Sequence, residues 1–489
     1  MQVKQIRNVG RSLKRFLEEF ADCYGRCDTR RYLPIYVDGQ MSDLQRKSAE
    51  AIALRAKIPP RSLQAFLGLL DWDEDRLVDR LQWIVVRDHA HPWAIGIVDE
   101  TSCPKDGSHT ACTQRQWCGS LGKKENCVVS VHVGYTVGDF HCVLDSDLFV
   151  PESWANHPAK RAEVGMPDEI VHRTKAQIAL EQIRRALGNG IRVAAWTFDE
   201  HYGQGYDFLD GLEGLGQTYV AEVPSTFHGW VQEPATVYRA TGRGLHRHGP
   251  RLARTAPAVS EVRDLLGHSP AFRQPWTPIH LQNGENGPIV REVQAVPFFM
   301  RRHGLPTRAH WLIAARDPQK PKDIKFFVSN AAPGVPLEWL VHVAYSRWPI
   351  EPCFREEKDE LGFDHFEVRG WQSIHRHLYL SQVSHLFLNQ TRAQLVAQES
   401  GEKPPPPSGL FFPPHRKGSP TGPAAGELDG RAGSLRGFPV APSPAAGSPC
   451  RTHPSGRRRR HDQLPAPAQH RGTTRSHQNQ TAGTTPAGN

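Results

Sequence analysis

The sequence is poor in the features that mark several large protein classes. Its 489 residues hold nine Cys and four Met. No stretch approaches the roughly 18 uninterrupted apolar residues of a membrane-crossing helix. The opening MQVKQIRNVGRSLKRFLEEF has no apolar core of the kind a secretory signal needs. An odd cysteine count in a long chain without an export signal predicts reduced thiols in a cytosol. Neither Cys23/Cys27 nor the loose group from Cys103 to Cys142 has the paired spacing of a zinc site, so buried or free thiols are expected there. No internal repeat is visible. Membrane, secreted, collagenous and disulfide-scaffold classes are thereby excluded. The 38% hydrophobic content is that of a globular chain, and the length suggests about three domains of roughly 150 residues each.

The body of the chain also lacks a charge excess. The formal net charge is +9, but residues 401–489 hold 12 of the 60 Lys and Arg and 4 of the 51 Asp and Glu. The other 400 residues therefore carry 48 basic against 47 acidic side chains, and the net charge of the body gives no support for a basic binding face. The same tail holds 16 of the 40 Pro and 13 of the 42 Gly, with PPPP at 404–407 and RRRR at 457–460. It has no apolar periodicity, and such a composition cannot bury enough surface to offset chain entropy. Residues 399–489 are expected to be a disordered basic tail. Arg/Pro/Ala/Gly-rich sequence of this kind is also what a GC-rich gene yields out of frame.

Upstream, the hydrophobic period divides the chain. Helical spacing over residues 4–25 and 41–90 predicts a helical N-terminal domain, 1–91. The period then shortens to that of strands at 93–100, 127–137 and 141–150, a predicted three-strand meander. A long helix is expected over 168–190, closed by Gly188 and Gly190. Strands at 191–200 and 217–223 flank a short helix between 203 and 215. This β-β-β-α-β-α-β order predicts an α/β core with a mixed sheet, whose first part is 92–223. Residues 224–307 read as a β and loop insertion. Strands at 310–316 and 324–330 and helices at 336–348, 350–361 and 372–398 return the chain to the core, 308–398.

Two acidic residues stand where buried strands leave the sheet: Asp99 after WAIGIV and Asp199 after RVAAWTF. Ligands of open α/β sheets bind beyond the carboxyl ends of strands. Converging carboxylates repel one another, and a divalent cation relieves this. A single strand-end Asp more often starts a turn or caps a helix, and the pair alone does not decide between the two outcomes. Further on come Tyr345-Ser346-Arg347-Trp348-Pro349-Ile350-Glu351 and Lys358. Glu351 and Lys358 are two helical turns apart, so they share a face at a separation of about 10 Å. Pro349 and Pro352 flank Glu351 and predict a break near 348–352 rather than one continuous helix.

At this point the sequence resembles the DDE transposases of bacterial insertion sequences, in the IS-four-like group with a Tyr-Arg-Glu-Lys signature. The first-Asp region of that group is similar to Ile97-Val98-Asp99-Glu100-Thr101 with Arg115-Gln116-Trp117-Cys118-Gly119. Its second-Asp strand is similar to Thr197-Phe198-Asp199-Glu200-His201-Tyr202-Gly203. Its Glu helix is similar to Arg347-Trp348, Glu351, Lys358 and Glu360-Leu361-Gly362-Phe363. Only Ser346 separates Tyr345 from Arg347, where the group commonly has two residues.

The resemblance implies an RNase H-like catalytic core, with the β-rich insertion lying between the second Asp and the Glu. It implies that Asp99, Asp199 and Glu351 are the catalytic residues and hold two Mg²⁺ ions, with Mn²⁺ able to substitute. Tyr345, Arg347 and Lys358 are implied to bind DNA phosphates; otherwise a solvated ion pair of Arg347 or Lys358 with Glu356, Glu357 or Asp359 is the more ordinary outcome. The implied partners are double-stranded DNA, as terminal inverted repeats and target, and further copies of the chain in a synaptic dimer or higher oligomer. The implied setting is a bacterial cytoplasm, at the nucleoid, with no membrane. A catalytically inactive relic acting as a DNA-binding regulator and a metal-dependent nuclease without strand transfer are the alternatives.

Overall fold

A computed structural model describes residues 3–238, 249–284, 287–347 and 349–400. The basic tail and Trp348 lie outside the described residues. The chain first builds a layer of helices, including Val3–Glu18, Tyr32–Gln40, Ala49–Arg55, Pro60–Gly68 and Glu74–His89. Five strands follow that form one end of the sheet: β1 (Ile95–Pro104), β2 (Gln114–Cys118), β3 (Lys123–Val137), β4 (Phe140–Leu148) and, after a long helix, β5 (Ala195–Phe198). β6 (Tyr219–Val223) lies beside β5.

β3 is buried on both faces from Cys127 to Thr136, as expected of its near-continuous apolar run. It pairs antiparallel with β1, with β4 over Ser130–Val137, and with β2 over Lys123–Cys127. The tight reversal into β4 passes through Gly138, whose φ of 55° suits the absence of a side chain. β5 runs parallel to β1, and β6 parallel to β5. The resulting order is β4-β3-β1-β5-β6, three antiparallel strands followed by two parallel crossovers.

The first crossover contains the helix Lys175–Gly188. It starts later than the apolar pattern predicts because Thr174 and Gln177 close a reciprocal capping box. It ends at Asn189, with Gly190 taking a φ of 93° just beyond. Residues 224–330 widen the same sheet. β7 (His228–Trp230), β10 (Ser260–Glu261), β11 (Thr277–Gly284), β12 (Gly287–Arg302), β13 (Leu305–Asp317) and β14 (Lys320–Ser329) join it through β14, which pairs with β6. β8 (Thr236–Tyr238) and β9 (Pro250–Leu252) form a separate ribbon. Residue 307, the expected end of the insertion, falls inside β13.

The helix Trp371–Ser400 lies against β4 and against the N-terminal helices. Its side chains from Ile374 to Phe387 are buried all round, so it has no polar face. Several of its buried polar groups are matched instead: His377 Nδ1 lies 2.8 Å from the Tyr36 hydroxyl, and Gln40 donates to Ser381 at 2.7 Å. One continuous core therefore runs from Phe16 and Phe20 through Leu81 to Val133 and Leu380. Trp72, Trp230 and Trp371 are buried in cores, and Trp276 packs beneath Arg316. Among the described residues, no helix is long and apolar enough to cross a membrane.

Candidate active site

The parallel register between β1 and β5 ends at Val98 opposite Phe198. The next residue of each chain segment is Asp99 and Asp199, so two strands distant in sequence deliver two carboxylates side by side at their carboxyl ends. Asp99 is 9% exposed, and its Oδ1 accepts from the Glu100 amide at 2.8 Å. Asp199 caps the short helix Glu200–Gly203, and its Oδ1 accepts from the amides of His201 and Tyr202 at 3.0 and 3.4 Å. Alternation turns Glu100 away from Asp99. It pairs with Lys175 and accepts from the Tyr202 hydroxyl at 3.3 Å.

The third carboxylate arrives across a broken helix. Leu337–Tyr345 ends, and Ile350–Asp359 begins with Pro349 as its N-cap. Glu351 is then the second helical residue and Pro352 the third, where no intrahelical N–H is required. Ile350 anchors this start with Ile97, Val143, Cys353 and Phe354. Its Cδ1 occupies the space above Gly134, where a Cβ would lie 2.6 Å away. Gly134 thus lets the helix approach β3 closely.

Arg347, in the break, spans the acidic residues. Its Nη1 donates to Asp99 Oδ2 at 2.7 Å, and its Nη2 lies 3.4 Å from Glu351 Oε1. Burial works against the Arg347 charge, but Asp99, then Glu351, Asp199 and Glu222, hold its pKa above the ordinary value. Asp99 shows the opposite balance. Burial raises its pKa to about 6, Arg347 opposes the rise, and Asp199 adds to it. Glu351 is 54% exposed. Lys358 reaches back to β1, where its Nζ donates to Thr101 Oγ1 at 2.8 Å and to the Ser102 carbonyl at 3.1 Å.

Asp99, Glu351 and Arg347 are therefore linked directly, Asp199 adjoins Asp99, and Lys358 docks on the same strand. Tyr345 lies at the flank, its ring 5.7 Å from Phe327 and 5.3 Å beneath the Arg291 guanidinium. Sequence reasoning missed Glu222, a fourth acidic neighbour of Arg347 that also pairs with Lys325 at 2.8 Å. The signal for it was present, since Glu222 nears the end of the buried run TYVAEV, as Asp99 and Asp199 end theirs.

The donor set is all carboxylate oxygen, suited to a hard cation such as Mg²⁺ that keeps several waters. Burial, and to a lesser extent Asp199, weakens the acidity of Asp99, and a cation between the two carboxylates would offset both. In chemical terms the residues fit such an ion, with Glu351 open to solvent.

The family model of the DDE superfamily endonucleases matches residues 19–288. This is more than half of the chain, and the chain belongs to that family. The matched stretch includes Asp99 and Asp199 and ends before Glu351. The probable transposase for insertion sequence element IS701 of Microchaete diplosiphon is similar: 30% identical over 224 residues, which are 44% of this chain and 55% of the relative. The chain thus matches about half the length of that relative.

Proposed function

We propose that the chain is a transposase that binds the ends of an insertion sequence and carries out metal-dependent DNA cleavage and strand transfer. The observation that carries this reading is the side-by-side delivery of Asp99 and Asp199 by parallel strands, with Arg347 joining Asp99 to Glu351. The order β4-β3-β1-β5-β6 supports an RNase H-like core, and the strands between β6 and β14 support an insertion between the second Asp and the Glu. Asp99, Asp199 and Glu351 are the residues that would hold two Mg²⁺ ions. When bound, such ions supply an activated water or 3′-oxygen and stabilise the leaving oxygen of an in-line displacement. The protein's own part is placement. Asp199 is fixed by its helix cap, Asp99 by β1, and Glu351 by the seat of Ile350 over Gly134. Arg347 offers a fork-shaped cation able to exchange its carboxylates for a DNA phosphate. Lys358 stands as a second fixed charge, docked two and three residues beyond Asp99 on β1, and Tyr345 lines the flank. The chain acts on bacterial nucleoid DNA as a dimer or higher oligomer. Its basic tail adds affinity that is salt-sensitive and indifferent to sequence. The test is cleavage of a labelled duplex carrying the element's terminal repeat with Mg²⁺. A protein that binds this duplex and never cuts it is the inactive relic instead.

The N-terminal helices are the proposed readers of the ends. Lys47 is buried, with its ammonium on the Glu360 carbonyl, while Arg46 pairs with Glu367 and Arg55 with Asp38. Lys57 and Arg61 are exposed. Replacing both by Ala is expected to weaken end binding and to reduce the slope of log affinity against log salt by about one for each lost phosphate contact. A gel-shift series over several salt concentrations reads this directly. An unchanged slope would reject a role for these two residues.

A further inference from the structure

Behind the helix that carries Glu351 lies a second cluster with different chemistry. His141 of β4, Cys353 of the helix Ile350–Asp359 and His385 of the helix Trp371–Ser400 bring one ligand atom each within 4.8 Å of one another. Cys353 and His385 are buried. Glu357, one helical turn after Cys353, is 0% exposed, and neither of its carboxyl oxygens has a hydrogen-bond partner. His385 Nδ1 lies 3.9 Å from Glu357 Oε1 and has no hydrogen bond, and neither has His141 Nε2, which lies 3.7 Å from Glu356 Oε2. Four buried polar atoms facing one small space without hydrogen bonds are costly unless something is bound among them.

We propose that His141, Cys353 and His385, completed by Glu357, bind one Zn²⁺ ion that fastens the Glu351-bearing helix to β4 and to the helix Trp371–Ser400. A thiol and two imidazoles are too soft a set for Mg²⁺ or Ca²⁺ and suit zinc. Four protein ligands make a closed, structural site. Bond lengths of about 2.0–2.3 Å place tetrahedral ligand atoms roughly 3.3–3.8 Å apart, so the atoms of His141, Cys353 and His385, now within 4.8 Å of one another, draw together by about 1 Å on binding. The surroundings supply the usual outer support. Glu356 Oε2 lies 3.2 Å from His385 Nε2, and Glu356 Oε1 accepts from Arg392 at 3.0 Å; the Asn389 side-chain amide also lies 2.9 Å from His385 Nε2 and must turn its oxygen to that nitrogen when the nitrogen carries the proton. A His whose outer nitrogen donates to a carboxylate presents its other nitrogen to a metal. The ion displaces the thiol proton, and any proton on Glu357, to solvent as it binds. The site is distinct from the carboxylate centre, although Cys353 follows Glu351 by two residues.

The test is metal analysis of the full-length protein purified without chelators. About one zinc per chain is expected in the wild type and in Cys27→Ser, which alters an exposed cysteine, and a roughly tenfold lower content in Cys353→Ser. Cobalt supplied to chelator-stripped wild type should give thiolate-to-metal absorption and intense tetrahedral bands. His141→Ala, at a partly exposed position, should lose both even if Cys353→Ser fails to fold. A wild type without zinc whose cobalt form has no thiolate band overturns the proposal. So does full zinc retention in Cys353→Ser or His141→Ala, which would put the ion elsewhere.

Discussion

Asp199→Asn is expected to keep DNA binding and to lower cleavage of a terminal-repeat duplex by about 10³-fold or more, the scale of losing one preorganised electrostatic element from such a centre. The structure makes this the cleanest of the three carboxylate replacements. Asn caps a helix about as well as Asp, so the amides of His201 and Tyr202 keep an acceptor while the charge that attracts a cation is gone. Asp99→Asn should lose as much activity but also leaves the half-buried Arg347 without its nearest counter-charge, a second, structural cost. Glu351→Gln removes an exposed carboxylate and should cost activity alone. Combining the three should add little to any one, because groups that act as a unit are not additive. Glu200→Gln, next to Asp199 and exposed, is the control. Glu100 is unsuitable for that purpose, because it holds Lys175 and the Tyr202 hydroxyl. Cleavage with Mg²⁺ and a gel shift without it are the paired measurements. Wild-type cleavage by Asp199→Asn, or an equal loss in Glu200→Gln, would defeat the assignment.

The parts of this site that were legible in sequence are those governed by local physics. Two buried runs each ending in Asp located Asp99 and Asp199. Pro349 and Pro352 forecast the helix break, and Pro349 is its N-cap. What local pattern does not contain is the pairing of strands. That β5 lies parallel to β1 in the register that aligns Asp99 with Asp199, and that Arg347 reaches Asp99 across 248 residues of sequence, are products of the whole sheet. Lys358 illustrates the same limit. Its sequence neighbours Glu356, Glu357 and Asp359 suggest a surface ion pair, whereas packing sends its ammonium to Thr101 and Ser102. The helix Tyr32–Gln40 was obscured by Pro34, which stands in its first turn, where proline costs no hydrogen bond. The His141, Cys353 and His385 cluster has no sequence signal at all, since its members come from three elements with no motif spacing.

Arg376→Met is expected to destabilise the fold by about 3–5 kcal/mol, the cost of removing one partner of a buried charge network. Arg376 is 2% exposed. Its guanidinium donates to the carbonyls of Leu70 at 2.7 Å and Trp72 at 3.0 Å, and reaches those of Phe66 and Leu67 at 3.4 Å. It pairs with Glu74 at 2.7 Å and lies over the Trp72 ring at 4.4 Å. Phe66 and Leu67 end the helix Pro60–Gly68, so their carbonyls have no partner within it. The cation also lies at the negative end of that helix. Methionine fills similar space but takes the donor from the carbonyls of Leu67, Leu70 and Trp72, while the Phe66 carbonyl keeps the Trp72 indole N–H at 2.9 Å. Lysine restores the charge without the planar fork, so Arg376→Lys should fall between Met and wild type. Glu74→Gln should cost least, because Glu74 is partly exposed and the carbonyls keep their donor. Chemical denaturation of the full chain, read by tryptophan fluorescence through Trp72, gives the ranking. An Arg376→Met protein within about 1 kcal/mol of wild type would show that this arginine does not hold the N-terminal helices to the helix Trp371–Ser400. If the expected loss is found, those helices and the catalytic sheet share one cooperative core.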